Sequence, residues 1–190
     1  NWPEAMHNAG RYLKEAGAQS VKVEGGSHMV GTIRQLISAG IPVMGHIGLT
    51  PQSVNQLGGY KVQGKSPAEA QRLLADAFAL QEAGVYSIVL ELVPAEVARE
   101  ITARVTVPTV GIGAGPHCDG QIQVLHDVLG LFEVFTPKHT RHYANMADDM
   151  RAALGSYFSD VKEGSFPGDA ESHHVSEDVI AAMQRDEATD

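Results

Sequence analysis

The chain has 190 residues, with 14 Lys and Arg against 23 Asp and Glu, for a formal charge of −9. That length suffices for one domain with its own core, and the acidic balance speaks against general nucleic-acid binding, which needs a basic face. No apolar run approaches the roughly 20 residues of a membrane span, and the lone Cys118 cannot form an internal disulfide and fits a reducing cytoplasm.

The opening Asn1-Trp2-Pro3-Glu4 has no signal-peptide character and no initiator Met, so a longer parent chain is expected. Ala5, Ala9, Leu13 and Ala16 fall on one helical face that Gly17 closes. A short strand, Ser20–Glu24, ends at Gly25-Gly26. A helix carrying Ile33, Leu36 and Ile37 then stops at Gly40, and a second strand covers Ile41–His46. Ser66, Pro67 and Glu69 spell a capping box with proline at the first helical position. The helix they start carries Leu73, Leu74, Ala77 and Leu80 and ends at Gly84. Val85–Glu91 reads as the clearest buried strand, Pro94 opens another helix, and Val107–Ile112 and Gln121–His126 read as further strands. A last helix, about Tyr143 to Lys162, lines up Met146, Met150, Leu154, Tyr157 and Val161. The polar, acidic residues 169–190 are expected to be a solvated, disordered tail with at most one helical turn near Val179-Ile180.

Strands and helices alternate, and the strands are apolar runs, which points to an α/β fold with a parallel sheet. An open doubly wound sheet and a closed barrel compete. The barrel is preferred because Lys22, Glu24, His46, Glu91 and His126 fall at carboxyl ends of successive strands, which converge on one mouth in a barrel. A full barrel takes eight strands and about 250 residues. Five strands are read here, so residues 1–168 are expected to be a partial (β/α)8 barrel lacking about three N-terminal βα units.

Lys22 and Glu24 are two apart on a strand and share a face. A cation and a carboxylate near a barrel mouth suggest a site, although a space-filling ion pair is the alternative. Glu91 closes an apolar strand, as a carboxylate base does, or is merely a solvated strand end. His46 is a ligand-type residue or a structural hydrogen-bonder, and its neighbours favour the former. From His46 to Lys65 the chain spends 20 residues and four glycines on one connection, the profile of a lid. Gly111-Ile112-Gly113-Ala114-Gly115 misses the dinucleotide fingerprint and reads as a tight turn near a ligand or neighbour. His139 and His142 beside Lys138 and Arg141, and His173-His174, read as solvated surface, and Cys118 as inert.

Val21-Lys22-Val23-Glu24-Gly25-Gly26, Gly45–Ser53, Gly58–Gly64, Leu90–Pro94, Gly111–Gly115 and Asp119–Ile122 resemble, in that order, the ketopantoate hydroxymethyltransferase family. The resemblance runs from about Ala9 to Gly168, and the lid motif is its most specific part. It implies a (β/α)8 barrel, bound Mg2+, methylenetetrahydrofolate as co-substrate, a 2-keto acid substrate and a homo-oligomer, usually a decamer. Carried over by position, Glu24 is the metal-site glutamate, Lys22 and His46 contact the keto acid, and Glu91 is the catalytic proton acceptor. The family's two metal-binding aspartates and a substrate-binding serine come from earlier strands, and nothing upstream of Lys22 matches them. A related keto-acid aldolase or lyase, one form of it using Lys22 as a Schiff-base nucleophile, and a non-catalytic fragment stand as alternatives.

Overall fold

In the computed structural model, which describes residues 2–56 and 58–186, five parallel strands form one sheet in the order β1-β2-β3-β4-β5. They are β1 (Val21–Glu24), β2 (Val43–Gly48), β3 (Ser87–Glu91), β4 (Thr109–Ile112) and β5 (Gly120–Gln121). Helix α1 (Trp2–Glu15) precedes the sheet, and α2 (Val30–Ser38), α3 (Pro67–Ala83) and α4 (Ala95–Thr102) make the crossovers as far as β4. Sequential parallel order with helical crossovers is one arc of a barrel wall. Among the described residues, β1 and β5 each keep one unpaired edge.

One face of this arc holds the core. Val43, Ile47, Ile88 and Leu90 point to the helices and meet Ile33 and Leu36 of α2, Leu73, Ala77 and Leu80 of α3, and Ala98 and Ile101 of α4. Packing there is close. A Cβ on Gly45 would lie 2.9 Å from Leu80 Cδ1, so the absent side chain lets α3 settle on the sheet. Because side chains alternate, Lys22, Glu24, His46 and Glu91 face the other way. The register confirms it, pairing Glu24 with His46 and Gly48 with Glu91.

The capping box forms as its sequence predicts. Ser66 Oγ accepts the Glu69 amide at 3.3 Å, and the Glu69 carboxylate accepts the amides of Lys65 at 2.9 Å and Ser66 at 3.1 Å. Those donors, Ser66 first, hold the Glu69 carboxyl below its ordinary value.

Several boundaries differ from the sequence reading, and β3 and β4 each start two residues later than read. β2 starts two residues later and runs on to Gly48, because the Ile41 amide is used to close α2 on Leu36 O. His46 is therefore inside the strand rather than at its end. The fifth strand is only Gly120–Gln121. Beyond it Val124 O accepts the amides of Asp127 and Val128, each at 3.0 Å, and the chain winds into α5 (Leu125–Val128). A short apolar run is ambiguous between strand and helix. His126 therefore lies on a helix and does not join the strand-end cluster. The final helix of the barrel part, α6 (Met146–Glu163), begins at Met146. Its stripe of Met150, Leu154, Tyr157, Phe158 and Val161 is exposed, with Ala147 its one buried residue. Where a single turn was read near Val179, the structure has a ten-residue helix, α7 (Glu177–Asp186), with Glu177 and Asp178 in its first turn.

Candidate active site

Three adjacent strands deliver the site. β1 contributes Lys22 and Glu24, β2 contributes His46, and β3 ends in Glu91. Lys22 Nζ lies 3.2 Å from Glu24 Oε1 and 2.9 Å from His46 Nδ1, and His46 Nδ1 lies 3.8 Å from the same Glu24 oxygen. On the far side of the ring, His46 Nε2 lies 3.1 Å from Glu91 Oε2. All four residues read from the sequence as candidates thus form one continuous polar row across the strand ends.

Burial differs along that row. The His46 side chain is 2% exposed, whereas Glu24 and Glu91 are 17% and 18% exposed and Lys22 is 42% exposed. The imidazole is a buried bridge with wetter charged groups around it. Its tautomer follows from donor counting. An ammonium only donates, so Nδ1 must be the acceptor in the Lys22 contact, and the neutral ring carries its hydrogen on Nε2. That Nε2–H has no aligned acceptor despite the nearby Glu91 oxygen. A buried donor left over costs about 1–3 kcal/mol, so an orphan of this kind points to a ligand oxygen.

The loop after β2 closes on the same groups. The Gln52 amide donates to Glu24 Oε2 at 3.0 Å, at the start of a 3-10 turn, Pro51–Ser53. The Leu49 amide donates to Glu91 O at 2.8 Å, and the Gln63 amide to Leu92 O at 2.8 Å. Gly48 makes this route feasible, since its φ is +93° and a Cβ there would lie 2.2 Å from Glu91 O. The lid therefore grips Glu24 near its start and the residue after Glu91 near its end. Leu92 is the sole non-glycine with positive φ (+48°) among the described residues, so the backbone is strained immediately beyond Glu91.

The sequence reading missed the Gln52 contact, because a backbone amide carries no residue signature. It also read Lys138 and His139 as plain surface. Both line a cavity with Leu92, Val93 and Pro94 of the β3–α4 turn and Gly113 and Gly115 of the turn after β4. The one available signal was the glycine spacing of Gly111–Gly115. His142 is exposed, as read. Burial pushes the Cys118 thiol up, in keeping with an inert residue.

Glu24 has the hard oxygen donors that Mg2+ prefers, and such ions commonly take one or two protein carboxylates and fill the remainder with water and substrate. No group of three His, Cys, Asp or Glu able to hold a metal is present among the described residues. Glu24 therefore fits as a single-carboxylate ligand, with Lys22 and the Gln52 amide as its present partners.

Polar groups gathered at the carboxyl ends of parallel strands mark the barrel class of α/β proteins, and fold and site place this chain there. The family model described as Ketopantoate hydroxymethyltransferase matches residues 1–169, and the chain belongs to that family. It is 57% identical over 189 residues to a 3-methyl-2-oxobutanoate hydroxymethyltransferase of Chloroflexus aurantiacus, covering 98% of this chain and 67% of that protein. Proteins of the same name from Moorella thermoacetica and Geobacter sulfurreducens are 59% and 54% identical over 87% and 89% of this chain. The chain spans 61% and 63% of the length of those two relatives.

Proposed function

We propose that this chain carries the proton-abstracting half of a hydroxymethyltransferase site, which moves a one-carbon unit from methylenetetrahydrofolate to 3-methyl-2-oxobutanoate to give ketopantoate on the route to pantothenate. The single observation that carries this reading is the buried, unpartnered His46 Nε2 beside Glu91. A keto acid whose oxygen takes that hydrogen presents its C3–H to a carboxylate.

The steps follow from the residues. Glu91 takes the C3 proton, and the C–H electron pair moves into a C2–C3 double bond and onto the keto oxygen. His46 Nε2–H is the donor for the oxygen that gains charge, and Lys22, on the Nδ1 side of the ring, holds the tautomer that keeps this hydrogen on Nε2. Water adds to the donor's methylene carbon, both C–N bonds break with the protons passing to the folate nitrogens, and tetrahydrofolate leaves; C3 then bonds to the released one-carbon aldehyde carbon, whose oxygen takes a proton and becomes the hydroxyl. Lys22 acts here as a donor rather than a Schiff-base nucleophile, since Glu24 and His46 already hold its nitrogen. Glu24 would hold Mg2+, and such an ion when bound supplies Lewis-acid polarisation of the keto acid. The lid, tied to Glu24 and Leu92, excludes water from the enolate.

The reading includes a cytoplasmic homo-oligomer, a decamer by family resemblance. The exposed apolar stripe of α6 supports contact between copies. The net charge of −9 supports small anionic substrates only at a local cationic group, which Lys22 provides, and offers nothing to nucleic acid.

The test is deuterium exchange at C3 of 3-methyl-2-oxobutanoate, followed by NMR without folate. Glu91→Gln is expected to slow exchange at least 100-fold while keto-acid binding changes little. Exchange at the parental rate would remove Glu91 from the base role.

A further inference from the structure

Glu24 is the last residue of β1, and β1 has one hydrogen-bonded neighbouring strand among the described residues. The ladder to β2 ends one residue later, where the Gly25 amide donates to His46 O at 2.9 Å. The chain then passes through Gly25 and Gly26, both buried, into a 3-10 turn at Ser27–Met29. Gly25 has a φ of +118°. Two adjacent glycines make the most freely rotating link a backbone offers. Here that link directly follows the carboxylate that Lys22 and the Gln52 amide contact. A site residue so placed needs an anchor on the far side of the glycines.

Asp76 of α3 supplies that anchor. Its Oδ1 accepts the Ser27 amide at 2.7 Å and the Ser27 hydroxyl at 2.5 Å. The carboxylate is seated on Gly26, where a Cβ would lie 2.1 Å from Asp76 Cγ, so any side chain at that position would expel it. Asp76 makes no ion pair among the described residues, and its side-chain hydrogen bonds go to Ser27 alone. Its mount is firm. Leu73, Ala77 and Leu80 on the same helix are buried in the core, and the helix start is fixed by the Ser66 capping box. Asp76 also lines the cavity behind the lid, with Thr50 from the start of that loop and Gln63 and Gly64 from its end.

We propose that Asp76 is a positioning residue for the reaction, fastening the Gly25-Gly26-Ser27 turn to α3 and so holding Glu24 where its carboxylate reaches Lys22 and the lid. The catalytic consequence rests on the transferase reading above. Hydrogen bonds to an ionised acceptor are the strong ones, and this carboxylate receives two from one residue, which fixes Ser27 in both place and rotation. Without them the glycine pair is free to turn. The Glu24 carboxylate then drifts from the Gln52 amide, and the first turn of the lid, Pro51–Ser53, loses its tie to β1. Asp76 thus acts on the site through the backbone that follows Glu24.

Two readouts on Asp76→Ala test the proposal. Hydrogen exchange of the Gln52 amide, followed by NMR, is expected to quicken at least tenfold while amides of α3 and β3 stay within threefold of the parent. Exchange of the keto-acid C3 proton is expected to slow at least tenfold. Asp76→Asn, whose Oδ1 still accepts, should restore at least threefold of each change. Glu24→Ala frees the Gln52 amide by itself, and adding Asp76→Ala to it should quicken that amide less than twofold further, because Asp76 acts through Glu24. Ser27→Ala, at an exposed position, removes the hydroxyl donor alone and should quicken the Gln52 amide at least twofold; it decides the matter if circular dichroism shows Asp76→Ala unfolded. A Gln52 amide that keeps the parental rate in these variants overturns the positioning role, as does uniform quickening across α3 and β3, which marks a structural role only. A loosened Gln52 amide with C3 exchange within twofold of the parent overturns it too. In each case a parent that exchanges the C3 proton leaves the transferase reading standing. A parent that does not exchange it overturns that reading instead, and the Gln52 amide then decides whether Asp76 holds Glu24.

Discussion

Replacing Lys22 by Met tests whether the row of polar groups works as a unit. Methionine keeps the length and apolar stem of lysine but removes all three donors. Two contacts vanish, the 3.2 Å pair with Glu24 and the 2.9 Å hydrogen bond to His46 Nδ1. The second matters more, because the imidazole is 2% exposed and water cannot readily replace the lost donor. A hydrogen bond to a charged group is worth about 1.5–3 kcal/mol, and about 1.4 kcal/mol is tenfold in rate. Exchange of the keto-acid C3 proton is therefore expected to fall roughly 10- to 150-fold. The tautomer supplies an independent readout. In the parent, 15N NMR should show His46 protonated on Nε2, and in Lys22→Met that preference should weaken or invert. An unchanged tautomer together with exchange within twofold of the parent would refute the donor-counting argument.

Gln52→Pro removes the one amide hydrogen that reaches Glu24 while keeping the lid's length. Hydrogen exchange of residues 53–63 should quicken at least tenfold without loss of global stability, as measured by mass spectrometry. Ser66→Ala breaks the capping box and should lower stability by about 1 kcal/mol, read from chemical denaturation. The partner in that box titrates. Because Ser66 and Lys65 amides depress the Glu69 carboxyl, its contribution is complete above the unfolded value and is lost as the pH falls through the lower folded value. Glu69→Gln should flatten that part of the acid limb of the stability profile. Leu80→Ala opens a void against Gly45 where the parent residue is fully buried, and should cost about 2–5 kcal/mol.

The amino-acid order alone determined much here. The apolar runs of β1 to β4, the box at Ser66-Pro67-Glu69 and the period of α1 are local, repeating signals, and all appear in the structure. Strand periodicity likewise placed Lys22 and Glu24 on one face, since alternation is a property of the backbone itself. The signals that failed were short ones. Gln121–His126 is apolar enough for strand or helix, and after Ile122 donates its amide to Gly111 O the chain turns on Val124 O into a helix that carries His126 away.

Tertiary structure decided the rest. That Glu24 and Glu91 lie on either side of one imidazole depends on register between strands over 60 residues apart, set by the packing of α2 and α3 beneath them. No side-chain identity announces that Gln52 donates its backbone hydrogen to Glu24, or that Lys138 borders a carboxylate-free cavity. Both are consequences of where loops land after the sheet forms. Local pattern specifies each element because its hydrogen bonds close within a few residues, whereas a site built from several strand ends exists only once the strands are side by side.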